Sequence, residues 1–106
     1  MGMVIRIAPD RIDDYKRLHA QVWPEVLARL KVSGVRNYSI FLREPENLLF
    51  GVWEYHGSDF EADMKAIAAD PATQQWWRLT DPCQVPLESR AAGEHWARMA
   101  EVFHMD

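Results

Sequence analysis

Near its middle the chain reads Val35-Arg-Asn-Tyr-Ser-Ile-Phe-Leu-Arg43, then Glu44-Pro-Glu-Asn47, then Leu48-Leu-Phe-Gly-Val-Trp-Glu-Tyr-His56. Two runs rich in β-branched and aromatic residues flank four turn-forming residues. That pattern predicts strands at 35–43 and 48–56 joined as a hairpin. The second strand is apolar on both faces, with Leu48, Phe50 and Val52 on one side and Leu49, Trp53 and Tyr55 on the other. A small antiparallel sheet covered by helices on one face ordinarily leaves its other face polar. An apolar second face needs a cover. The sheet of a second copy is the simplest one, so a homodimer joined through the sheet face is expected.

On the N-terminal side, Met3 to Ala8 is a short β-branched run and reads as a strand. Pro9-Asp10 reads as a turn with Asp10 capping a helix. The apolar positions Ile12, Tyr15, His19, Val22 or Trp23, Val26 and Leu30 recur close to a 3.6-residue period. Pro24 interrupts that helix and predicts a kink, because proline lacks the amide that would bond the carbonyl of Ala20. Ser33-Gly34 closes it. Beyond the hairpin, Ser58-Asp-Phe-Glu61 reads as a capping box opening a helix to about Ala69. Asp70-Pro71 caps a further helical piece with proline at its permitted first position, and this piece carries Trp76-Trp77. Residues 81–97 read as a long loop and 101–105 as a closing strand. The order βαββαβ is the ferredoxin-like plan, an α+β fold with helices on one face of an antiparallel sheet. Paired through their sheets, two copies make a dimeric α+β barrel.

At 106 residues the chain is expected to form one domain, 1–106, with a single core. A formal charge of −4 with scattered basic residues argues against a nucleic-acid or anionic-membrane partner, each of which needs a basic patch. The start has no apolar core of a signal peptide, and no run approaches the roughly 20 apolar residues of a bilayer span. One cysteine, Cys83, offers no disulfide framework. A cytoplasmic location follows as the expectation. His56, His95 and His104 form no metal-ligand spacing, and no glycine-rich phosphate loop is present. No metal and no cofactor are therefore expected.

The residues that carry chemistry lie on the first helix. Tyr15, His19 and Trp23 recur every four residues and so share one face. Histidine is the side chain that both gives and takes protons near neutrality, and its aromatic neighbours have polar handles for a small polar substrate. A packed core histidine has the same signature, and so do core tyrosines at 15 and 38. Trp76 and Trp77 point about 100° apart on a helix, so at least one is partly exposed or lines a cavity. The alternative divides them between core and dimer interface. Trp53 reads as core and Trp23 as packing at the proline. A nucleophilic Cys83 has no activating histidine nearby in sequence.

Taken together, Tyr15-x-x-x-His19-x-x-x-Trp23-Pro24-Glu25, Asn37-Tyr38-Ser39-Ile40, Asn47-Leu48-Leu49-Phe50, Gln75-Trp76-Trp77 and Glu101-Val102-Phe103 resemble the L-rhamnose mutarotase family. These are small dimeric sugar epimerases of ferredoxin-like fold. The blocks occur in the family's order over most of the chain. The resemblance implies His19 as the acid/base and Tyr15, Tyr38, Trp76 and Trp77 as the lining of a monosaccharide pocket. Better-known members carry Asn-Pro-Asp-Asn-Ser-Pro before the last strand. This chain has Asp81-Pro-Cys-Gln-Val-Pro86 and a longer insert containing Trp96, which leaves L-rhamnose and related 6-deoxy sugars such as L-fucose as the expected substrates. Two readings from other classes share the fold. One is a cofactor-free monooxygenase or haem-degrading protein, the other a sugar-binding dimer without catalysis.

Overall fold

The structure is a computed structural model describing residues 1–106. Its elements are β1 (Gly2–Ile7), α1 (Ile12–Ala20), α2 (Pro24–Val32), β2 (Val35–Arg43), β3 (Leu48–Tyr55), α3 (Phe60–Ala69), α4 (Pro71–Thr80), β4 (Gln84–Val85) and β5 (Ala97–Met99). Short 3₁₀ turns cover Pro9–Arg11 and Asp81–Cys83. The sheet is antiparallel in the order β2-β3-β1-β4, with β5 also paired to β1. This is the ferredoxin-like arrangement, and the helices lie on one face. No helix is long and apolar enough to cross a membrane.

The fourth strand position is divided. β4 pairs with β1 at Arg6 and Ile7, while β5 pairs with it at Gly2, Met3 and Val4. Between them the chain leaves the sheet edge and returns. The closing strand expected at 101–105 is therefore found at Ala97–Met99, and residues 100–106 carry no regular structure. The reason is the length of β1: Met99 already faces Gly2, so no strand remains for later residues to pair with.

Side chains alternate across the sheet as the pleat requires. Ile5, Ile7, Leu49 and Trp53 are buried on the helix face. Phe41, Val52, Val85 and Met99 stand on the other face, 58 %, 46 %, 43 % and 39 % exposed. β2 keeps its apolar side toward the helices only by means of a bulge. Arg36 pairs with Glu54 and Ser39 with Val52, so two residues of β2 oppose one of β3. The extra residue shifts the alternation by one and puts Tyr38, Ile40 and Leu42 on the same face as Val35. Asn37 occupies the left-handed region at φ 50, which asparagine tolerates, and its Nδ2 donates to Glu54 Oε2 at 2.9 Å.

Helix boundaries depart from expectation in three places. Pro24 does not kink one helix but divides two, standing at the first position of α2. Trp23 before it is extended (φ −60, ψ 134), since a residue preceding proline is pushed out of the helical region. Asp10 lies inside a 3₁₀ turn and caps nothing; α1 starts after Arg11 with no side-chain cap. The capping residue of α3 is Asp59, not Ser58, its carboxylate accepting from the Ala62 amide at 3.1 Å. Asp70 does cap α4 as expected, accepting from both the amide and the hydroxyl of Thr73 at 3.0 and 2.8 Å. Gly34 ends α2 at φ 89, where any Cβ would lie 2.7 Å from the Gly57 amide nitrogen.

The bulge is testable. Asn37→Val places a β-branched residue in the left-handed region and should lower unfolding free energy by about 1–2 kcal/mol. Asn37→Gly should be close to neutral in the same urea titration.

Candidate active site

α1 sets Tyr15 and His19 one turn apart, and their rings stack with centroids 4.1 Å apart at 29°. His19 Nδ1 lies 2.8 Å from the carbonyl oxygen of Tyr15. A carbonyl only accepts, so Nδ1 carries the hydrogen and Nε2 of the neutral ring holds a lone pair. Burial pushes the His19 pKa below its ordinary value, and the bond to the Tyr15 carbonyl opposes that shift without reversing it. The imidazole is therefore neutral at pH 7, which a proton acceptor requires.

α4 supplies the third side of the cluster. Trp76 is 6 % exposed and meets His19 edge-on at 5.4 Å and Trp23 edge-on at 5.3 Å. Such edge contacts contribute about 0.5–1.5 kcal/mol each beyond area burial. Trp77, about 100° further round the helix, is 39 % exposed. The pair thus divides as its spacing requires, one ring packed against the histidine and the other at the mouth. Trp23 packs at the break before Pro24, in keeping with its sequence reading.

Tyr38 reaches the same region from the sheet because of the Asn37 bulge. The residue as a whole is 39 % exposed, yet burial of the phenol pushes its pKa up to about 12. Trp53 lies beside it at 6.3 Å and stacks on Phe60. Its buried Nε1 has no hydrogen-bond partner, and the residue is 5 % exposed. A cavity of about 700 Å³ lies between helices and sheet, and Tyr15, His19, Tyr38, Trp76 and Trp77 all line it. That volume is in the range of small-molecule sites.

Two polar residues at this cavity, Asp81 and His95, and one behind it, Gln84, escaped the sequence reading. Gln84 Nε2 donates to the Tyr15 hydroxyl oxygen at 3.1 Å, and Gln84 Oε1 lies 2.8 Å from His95 Nε2. Asp81 Oδ1 is 3.6 Å from the same His95 nitrogen, and Asp81 and His95 both line the cavity. Trp96 lines it too, its ring against Gly51. No periodicity marks these residues; the one signal was that residues 81–97 depart from the family's pattern. Cys83 is buried among Ile5, Ile7, Tyr15 and Leu49, and burial raises its thiol pKa, so it is a core residue and not an activated nucleophile. His56 pairs with Glu54 and His104 with Glu101 and Asp106 at the surface. No three His, Cys, Asp or Glu side chains are gathered as metal ligands.

Known proteins match the chain over its whole length. The L-rhamnose mutarotase family model matches residues 1–105. An L-rhamnose mutarotase of Oceanobacillus iheyensis is 34 % identical over 105 residues, covering 99 % of this chain and 96 % of the relative. One from Shigella flexneri is 39 % identical over 106 residues, covering 98 % and 95 %. Among solved structures, an L-rhamnose mutarotase from Formosa agariphila superposes with a TM-score of 0.75 at 26 % identity, over 99 % of this chain and 96 % of that one. The tetracenomycin F2 cyclase of Streptomyces glaucescens shares the fold, with a TM-score of 0.69 at 16 % identity. The matched blocks and the aromatic cavity built from them lead to one assignment: this chain belongs to the L-rhamnose mutarotase family, a family of anomer-interconverting isomerases.

Proposed function

We propose that the chain interconverts the α and β pyranose anomers of L-rhamnose, with His19 as the acid/base. The observation that carries this is the imidazole of His19: neutral, held through Nδ1 by the Tyr15 carbonyl, with Nε2 left to accept a proton beside a cavity. Mutarotation opens the ring at C1 and recloses it on the other face. It needs one proton taken from the anomeric hydroxyl and one given to the ring oxygen. Nε2 takes the first, and a hydroxyl of the site or a water completes the exchange. The methyl group and C–H face of a 6-deoxy sugar pack on Trp76 and Trp77, while Tyr15 and Tyr38 bond its hydroxyls. These bonds matter because a buried polar group left unpaired costs about 1–3 kcal/mol. The chemistry asks for no cofactor.

The apolar outer face supports a homodimer joined sheet to sheet. Phe41, Val52, Val85 and Met99 project there together with the half-buried Val4, Leu48 and Phe50, a contiguous patch of the kind that marks an interface.

His19→Ala should slow anomer exchange by about 10²- to 10⁴-fold, read by NMR saturation transfer between the anomers of L-rhamnose, with sugar binding still measurable. Exchange at the wild-type rate would remove His19 from the mechanism, and L-fucose in the same assay reports on breadth. The pH profile follows from the depressed His19 pKa. kcat/KM should be flat through neutrality and fall in acid as the ring takes a proton, with its midpoint below the ordinary value of 6.5. Because the folded-state pKa lies below the unfolded one, His19 also makes the fold less stable as pH falls beneath 6.5, not more. For the dimer, Phe41→Glu combined with Val52→Glu should halve the mass seen by light scattering. An unchanged mass would contradict the sheet-face interface.

A further inference from the structure

The hydrogen bonds behind Tyr15 have a direction, and the charge of Asp81 biases it. Asp81 Oδ1 lies 3.6 Å from His95 Nε2, beyond hydrogen-bond reach, yet its negative charge favours a hydrogen on that nitrogen. That same nitrogen lies 2.8 Å from Gln84 Oε1. A donor there needs the carbonyl end of the Gln84 amide toward it, which turns the NH₂ end to Tyr15. Tyr15 thus accepts from Gln84 and keeps its own O–H to give elsewhere. With the amide reversed, Tyr15 would donate to Gln84 and its proton would be tied up inside the protein.

We propose that Gln84 and His95 are positioning residues that hold Tyr15 as the proton donor of the ring-opening step, opposite His19 as acceptor. The assignment rests on the anomer-exchange reading above and names the group that completes it. In the step, Nε2 of His19 takes the proton of the anomeric hydroxyl while the bond from C1 to the ring oxygen breaks. Tyr15 gives its proton to that oxygen, leaving an aldehyde at C1. After rotation about the C1–C2 bond the ring oxygen attacks the other face, and both protons return to their sources. As negative charge builds on the Tyr15 oxygen, the bond from Gln84 strengthens, since a hydrogen bond to an ionised acceptor is about twice as strong as a neutral one. Burial raises the Tyr15 pKa and the Gln84 bond acts against that rise, the sense required of a donor that must release its proton.

Four variants test this. Gln84→Glu keeps the shape but can only accept from Tyr15, and Gln84→Leu removes the bond. His95→Phe keeps a ring without a donor, and His95→Gln restores an N–H at that place. Exchange of L-rhamnose anomers should fall on the order of 10-fold in the two Gln84 variants and in His95→Phe, and far less in His95→Gln. The dissociation constant for the sugar, read from NMR shifts, should change much less than the rate. The ¹³Cζ resonance of Tyr15, assigned with Tyr15→Phe, should move in Gln84→Glu and His95→Phe and stay in place in His95→Gln. Wild-type exchange in all four, equal loss in the two His95 variants, or an unmoved Tyr15 resonance would overturn the positioning role while leaving the function intact. A wild-type protein that exchanges no anomers of either sugar would overturn the function, and the relay with it.

Discussion

β1 is six residues long and lies inside the sheet, and that shortness governs the rest of the molecule. One edge is filled by β3. The other has room for two residues of β4 at one end and three of β5 at the other. The chain between them cannot remain in the sheet, so it swings out and comes back at the cavity. Gln84 at its start and His95 and Trp96 at its end are therefore delivered to the same aromatic site from one excursion. The same pairing buries Ile5 and Ile7 against Leu49, Tyr15 and Cys83, and this core seats the helix that bears the histidine.

The site itself depends on groups that limit one another's choices. The Tyr15 carbonyl dictates which nitrogen of His19 carries the hydrogen. Trp76 and the Tyr15 ring enclose the imidazole and withdraw water from it, which keeps it neutral. On the far side, His95 Nε2 faces the carbonyl end of Gln84, whose amide nitrogen donates to the phenol oxygen of Tyr15. The imidazole of His19 and the amide of Gln84 are thus committed to donor and acceptor roles before a ligand enters. For a substrate with several hydroxyls, that arrangement favours one pose over others in which a buried group would go unpaired.

Much of this was legible in the residues. The four-residue spacing placed Tyr15, His19 and Trp23 together because a helix repeats nearly every fourth residue. Trp76 and Trp77 had to separate in exposure because neighbours on a helix point apart. Asp70-Pro71 marked a helix start because a carboxylate accepts the first amides and proline there has no amide to lose. The doubly apolar β3 foretold a second exposed apolar face, and the structure shows one. Other local signals lost to context. Ser58 was outcompeted by the adjacent carboxylate of Asp59. Pro24 ended a helix where a kink was expected, because Trp23 took the extended conformation. Residues 101–105 have strand-like composition but no strand to pair with.

Local rules thus determined which residues could form helices and strands, and which faces they would bury. They act over three or four positions and depend only on backbone sterics and side-chain period. The bulge at Asn37, the split edge beside β1 and the meeting of Gln84 with Tyr15 were settled by tertiary structure. Each depends on register between strands distant in sequence, and one residue of register turns a side chain to the opposite face of the sheet. His19 stood out as a candidate from its neighbours on the helix; Gln84, which donates to Tyr15, could be found only where the chain comes back to meet it.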